Sequence, residues 1–166
     1  RGELENAPYL GIASLLLVLD RPLSPYYSVN LTDRSIPLTG IIETTTLIDP
    51  AEVGGHLVYL PKYCRQDSPY LTRDEDDVRE EFLGHLERVF PRFDRAWIRG
   101  SLLARARHVE PIHELAPDRA VPGAATAVPG LFVSNTRRIY PALHNCEAVV
   151  ALAERSFQEI RTTLAD

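Results

Sequence analysis

YLGIASLLLVL, Tyr9 to Leu19, is the stretch on which the fold turns. It is almost continuously apolar, interrupted at Ser14 and stopped at Asp20 and Arg21, far too short for a bilayer and in keeping with a strand buried on both faces. Pro22 and Pro25 then break it. Tyr26 to Leu31 alternates aromatic or aliphatic with polar residues and runs into the turn cluster Thr32-Asp33-Arg34-Ser35, so a hairpin with the first strand is expected. Gly40 to Ile48, rich in Ile and Thr and ended by Asp49-Pro50, predicts a third strand. His56 to Leu60, after Gly54-Gly55 and closed by Pro61, predicts a fourth. Strands that follow one another with no helix between them imply a mixed, largely antiparallel sheet.

Downstream, a helix is expected over 72–90. Thr72 and Glu75 have capping-box spacing, Asp74, Asp76 and Asp77 suit the positive end of the helix dipole, and Val78, Phe82, Leu86 and Val89 share one face before Pro91. Another strand is expected from Ile98 to Ala106. On it Arg105 and Arg107 would face one side and meet an acidic substrate, Glu43 or water. Residues 111–130, with Pro111, Pro117, Pro122 and Pro129, read as an irregular crossing between a sheet-bearing region, 1–110, and a tail, 131–166. In that tail Leu131-Phe132-Val133 predicts a short strand. Glu147 to Arg161 has helical spacing through Val150, Ala153, Phe157 and Ile160. The expected class is therefore α+β: a sheet with flanking helices, then a C-terminal strand, loop and helix.

Composition narrows the function. The 166 residues suffice for one core, or one domain and part of another, and 45% apolar with 25% charged residues is ordinary globular composition. The net charge of -5 is spread over both halves with no basic stripe, which argues against nucleic acid. Cys64 and Cys146, the only thiols, lie far apart, so a disulfide framework is not expected and a reducing, cytoplasmic compartment is. No signal-peptide or transmembrane pattern is present, and Asn30-Leu31-Thr32 reads as a chance glycosylation match. The absence of methionine suggests a piece of a longer polypeptide. His108, Glu110, His113 and Glu114 lack the spacing of a helical zinc pair and are interrupted by Pro111, so no metal site is expected. A hydrolase elbow, G-x-S-x-G, does not occur.

Chemistry is best placed between Gly130 and Val149. A short strand that opens into a polar loop and then a helix presents unpaired helix N–H groups to an anionic or electron-rich ligand. Cys146 stands near that helix start, where a thiol can be reactive, but no base accompanies it and it is not read as a nucleophile. Tyr26, Tyr27, Tyr59, Tyr63 and Tyr140 are candidates for an aromatic substrate wall.

The blocks Gly130-Leu131-Phe132-Val133, Ile139-Tyr140-Pro141-Ala142-Leu143 and Asn145-Cys146-Glu147-Ala148-Val149 resemble the terminal flavin-contacting motif of the flavin-containing amine oxidase superfamily, which includes monoamine oxidases, protoporphyrinogen oxidase and phytoene-desaturase-like enzymes. Upstream, Ser24-Pro25-Tyr26-Tyr27, Asn30-Leu31-Thr32-Asp33-Arg34, Pro37-Leu38-Thr39-Gly40-Ile41-Ile42-Glu43 and Gly55-His56-Leu57-Val58-Tyr59-Leu60-Pro61 resemble the substrate-binding region of a bacterial branch of that group. The resemblance implies that the C-terminal strand, loop and helix belong to an FAD-binding domain. It places Asn135, Thr136, Tyr140, His144, Asn145, Cys146 and Glu147 at the cofactor, and makes residues 1–110 the substrate-side sheet of an FAD-dependent oxidoreductase.

The chain departs from the family pattern at two points. Asn135-Thr136 occupy the place where many members carry Gly-Asp, and no G-x-G-x-x-G follows a strand anywhere in the chain. The implied partner is thus a missing N-terminal FAD-binding segment, without which this fragment is inactive; the substrate is an unknown small molecule, and no acid or base can be named. The alternative is a cofactor-free interaction or dimerisation domain using its exposed sheet, and a homo-oligomer is compatible with either reading.

Overall fold

A computed structural model of the chain describes residues 8–113 and 123–165. They fall into two compact units, one of residues 9–109, the other of Pro8 and the described residues from Glu110 onward. The class is α+β. Strands β1 (Tyr9–Leu19), β2 (Ser28–Asn30), β3 (Gly40–Glu43), β4 (His56–Arg65) and β5 (Ile98–Pro111) form one sheet in the order β2-β3-β4-β1-β5. The helices are α1 (Pro50–Val53), α2 (Glu75–Val89) and α3 (Cys146–Ala165). Among the described residues no helix is long and apolar enough to cross a membrane.

β1 pairs antiparallel with β4 from Leu10–Arg65 to Leu19–His56. β4 pairs antiparallel with β3, and β3 with β2. β5 also runs antiparallel to β1, since Asp20 N donates to Trp97 O at one end while Gly11 lies against Ala106 near the other. The expected mixed sheet is thus antiparallel throughout its described strands. The expected hairpin of β1 with the Tyr26 segment does not form, because β2 pairs with β3 instead. Its three residues are too few to satisfy the backbone of eleven-residue β1, whereas β4, ten residues long, matches it.

Pro61 does not close β4, which runs on to Arg65. The Pro61 carbonyl accepts from Thr39 N at 2.8 Å, so its nitrogen also faces the β3 side, beyond the β3–β4 ladder, and interrupts no bond to β1. β3 is shorter than expected, because the chain turns at Thr44–Thr46 into a 3₁₀ turn after Glu43.

Side-chain alternation divides the sheet. Leu15, Leu17 and Leu19, with Val58, Leu60, Ile41 and Leu103, pack against Val78, Phe82, Leu83 and Leu86 of α2 in one core. Each fully buried side chain of this size contributes roughly 1.5–3 kcal/mol by leaving water. The other face carries Ile12, Leu16, Val18, Leu57 and Tyr59, all only half-buried. β1 is therefore enclosed on one face and partly open on the other, not buried equally on both. Its long apolar run resembles that of a two-sided strand because both faces are apolar.

α2 begins at Glu75, but the Thr72–Glu75 capping box is not formed. Asp74 is the N-cap, its carboxylate accepting from Asp76 N at 2.8 Å and Asp77 N at 3.3 Å. Thr72 instead closes the preceding 3₁₀ turn, Pro69–Leu71. An Asp side chain two residues closer to the helix reaches the orphan amides and adds full charge at the positive end of the dipole.

In the second unit Leu131-Phe132-Val133 is no strand: Phe132 makes one isolated bridge, to Ala125. α3 is longer at both ends than expected, and its inward residues are Leu152 and Ser156. The stripe of Val150, Ala153, Phe157 and Ile160 is not the buried face, since Val150 is 58% and Phe157 60% exposed. Residues 114–122 of the expected crossing segment, with Glu114, Pro117 and Pro122, lie outside the described residues.

Candidate functional site

The loop that leads into α3, with the first turn of that helix, holds all seven residues of the expected cofactor site, and several have local partners. Asn135 caps the 3₁₀ turn Thr136–Arg138, its side-chain oxygen accepting from Arg137 N at 3.1 Å. Tyr140 is exposed, with its ring 5.0 Å from that of His113. His144 Nδ1 lies 3.2 Å from Glu110 Oε2. Asn145 Oδ1 accepts from Ala148 N at 2.9 Å and its carbonyl from Val149 N at 3.0 Å, in the manner of a helix N-cap. Cys146 and Glu147, both exposed, form the first turn, and their backbone amides stand outside those two bonds.

The chemistry of this donor set is selective. Two first-turn amides at the positive end of a twenty-residue helix suit an electron-rich carbonyl edge such as that of a flavin ring. They do not suit a pyrophosphate, because Glu147 already places a carboxylate in the first turn and Glu110 holds another beside His144. Asn135 and Asn145 spend an oxygen each on caps and retain their amide N–H₂ groups as donors.

Beneath this loop the second unit is held mainly by polar contacts. Arg138 donates to Glu159 at 2.8 and 2.9 Å and to Ser156 Oγ at 2.8 Å. Ser156 Oγ also lies 2.7 Å from Ser134 Oγ, and Ala124 N donates to Glu159 Oε2 at 2.9 Å. The Ala124 amide and then Arg138 hold the Glu159 carboxyl below its ordinary range.

In the first unit the most deeply buried charged side chain is Glu43, 2% exposed at the end of β3. Its carboxylate accepts from Leu23 N and Ser24 N, each at 3.2 Å to Oε2, and faces His56 Nδ1 at 3.7 Å. Burial pushes this carboxyl up, against the opposing pull of the Ser24 and Leu23 amides and of His56. The arrangement anchors the segment bearing Tyr26 and Tyr27, and the Glu43 backbone N–H donates to Tyr27 O at 2.8 Å. The sequence names Glu43 only as a partner for arginine. It does carry a signal for burial: a lone acidic residue inside the β-branched run Ile41 to Thr46 must find buried donors.

Arg105 and Arg107 do not pair with Glu43, and Arg107 is exposed to water. Arg105 donates to Arg73 O at 2.8 Å and Arg107 to Gln66 O at 2.9 Å, so both fasten the 66–73 segment to β5. A second network, which no spacing in the sequence reveals, joins Tyr70 and Arg73 to Glu81 of α2. Burial, then the Glu81 carboxylate, pushes the Tyr70 hydroxyl up to about 12. Of the tyrosines expected in an aromatic wall, Tyr59 and Tyr63 share the open sheet face, Tyr26 and Tyr27 lie on the segment before β2, and Tyr140 belongs to the other unit. Among the described residues no cluster of His, Cys, Asp and Glu could hold a metal. No protein-family model matches the sequence, and no curated protein matches it.

Proposed function

We propose that this chain is the substrate-side sheet and C-terminal helix of an FAD-dependent oxidoreductase of the amine-oxidase kind, with the pyrophosphate held by an FAD-binding segment outside these residues. The observation that carries the reading is the ordered resemblance from Ser24 to Val149, ending where the loop 135–145 leads into α3 and its first-turn amides at Cys146 and Glu147. A flavin's ring edge is the part of the cofactor those amides suit. When bound, the flavin accepts a hydride from a substrate carbon. This chain would then help to orient the substrate and to exclude water.

Expression of the complete reading frame tests this. A purified protein with a flavin absorption spectrum, and a 166-residue chain that takes up no FAD, are expected; a colourless full-length protein that binds no FAD overturns the proposal. In that case the alternative, a cofactor-free interaction domain, gains from the exposed Tyr26, Tyr27, Leu47 and Ile48 of the first unit.

A further inference from the structure

The apolar stripe on α3 is left largely exposed by the unit that carries the helix, with Ala153 and Phe157 bordering a groove shared with Gly123, Ala124 and Ala125. Val150, Phe157 and Leu164 recur every seven residues, interleaved with Ala153 and Ile160 at spacings of three and four, the pattern of a coiled-coil seam. Val150, Phe157 and Leu164 are 58%, 60% and 69% exposed, while Leu152 and Ser156 point inward. Along one flank of the seam run Glu154 and Arg161, also seven apart, and among the described residues neither takes part in an ion pair. The other flank carries no charge: Thr163 is exposed there, and Ser156 is buried within its own unit against Ser134 and Arg138.

We propose that α3 pairs with α3 of a second copy of this chain, antiparallel about a two-fold axis that crosses the seam between Phe157 and Ile160. In that register Phe157 meets Ile160 of the second copy and Ala153 meets its Leu164, small against large. The same register sets Glu154 beside Arg161 of the second copy, and the symmetry repeats the pair. A parallel arrangement would instead oppose these charges to the uncharged flank. Charge complementarity therefore selects both the occupant, an identical helix, and its direction. The inference does not rest on the flavin reading, since it concerns the outer face of α3 and not the loop before it; under that reading an FAD-binding segment outside these residues would compete for the same face.

Sedimentation of the 166-residue chain over a dilution series tests the pairing. A species of twice 18.6 kDa is expected, dissociating on dilution as suits so short a seam. Phe157→Glu should abolish it, and the exposure of Phe157 leaves the helical circular-dichroism signal unchanged. Glu154→Arg or Arg161→Glu alone should weaken it about tenfold, since each turns two attractive pairs repulsive. The double exchange should restore wild-type affinity. A chain of 18.6 kDa at every dilution, its seam then serving another segment or another protein, overturns the proposal. So does a dimer that survives Phe157→Glu, or a double variant no tighter than the single ones.

Discussion

At Glu43 the chain places a carboxylate where water does not reach, and two backbone amides fix how it is used. Removing it leaves Leu23 N and Ser24 N without that acceptor, so Glu43→Ala is expected to cost about 1–3 kcal/mol in urea unfolding. The pH dependence has a definite sign. The folded state holds this proton more tightly than the unfolded chain, so the stability it brings is complete below the ordinary value of 4.5 and is lost as pH rises through the raised folded pKa. Glu43→Gln, a permanently neutral acceptor, should therefore gain on wild type as pH rises from 4.5 towards neutrality. Parallel unfolding curves that keep a constant gap across that window would refute it. Gly55 is a second residue-scale constraint. At φ +153°, a Cβ would lie 2.6 Å from Leu19 O, a backbone atom that cannot yield, whereas Gly54 at φ +79° faces open space. Thermal melts should show Gly55→Ala losing about 3 kcal/mol or more and Gly54→Asn about 1 kcal/mol or less.

For α2, the stripe of Val78, Phe82 and Leu86 is legible in the sequence because spacing alone sets a helical face, and all three are fully buried. Its start is not, because two capping residues compete. Thr72 and Asp74 both precede acidic residues at suitable distances, and only the 3₁₀ turn at Pro69–Leu71, which commits Thr72, leaves the cap to Asp74. Asp74→Ala should cost about 0.5–2 kcal/mol and Thr72→Ala no more than about 0.5 kcal/mol, and the reverse order in chemical denaturation would reinstate the capping box. Phe82→Ala should cost about 3–5 kcal/mol, the transfer loss plus a cavity in the core that Leu15 and Leu17 share. The strands show the complementary limit. Their existence follows from composition, but the partner of β1 depends on which strand matches its length.

Across the whole molecule the two units are held by different forces. The first has a continuous apolar core; the second buries Ala124, Ile139 and Leu152 and otherwise relies on Arg138, Glu159 and Ser156. Glu159 has its folded pKa lowered, so its contribution is present above the ordinary 4.5 and is lost as pH falls through the folded value. Mild acid should therefore release amide-exchange protection at Ala124 while β1 and β4 stay protected, and Glu159→Gln should remove the difference between neutral and acid samples. Loss of protection in both units together would show that Glu159 does not govern the second.

The α+β class, the existence of most strands and the buried face of α2 follow from the order of residues alone, because hydrophobic period and turn residues act locally. Long-range packing was needed to place β4 and not β2 beside β1, to carry a strand through Pro61 and to bury Glu43 on two amides. It also left the stripe on α3 exposed. Each of these depends on which distant backbone groups and surfaces meet, and a side chain's periodicity gives its face without giving what covers that face.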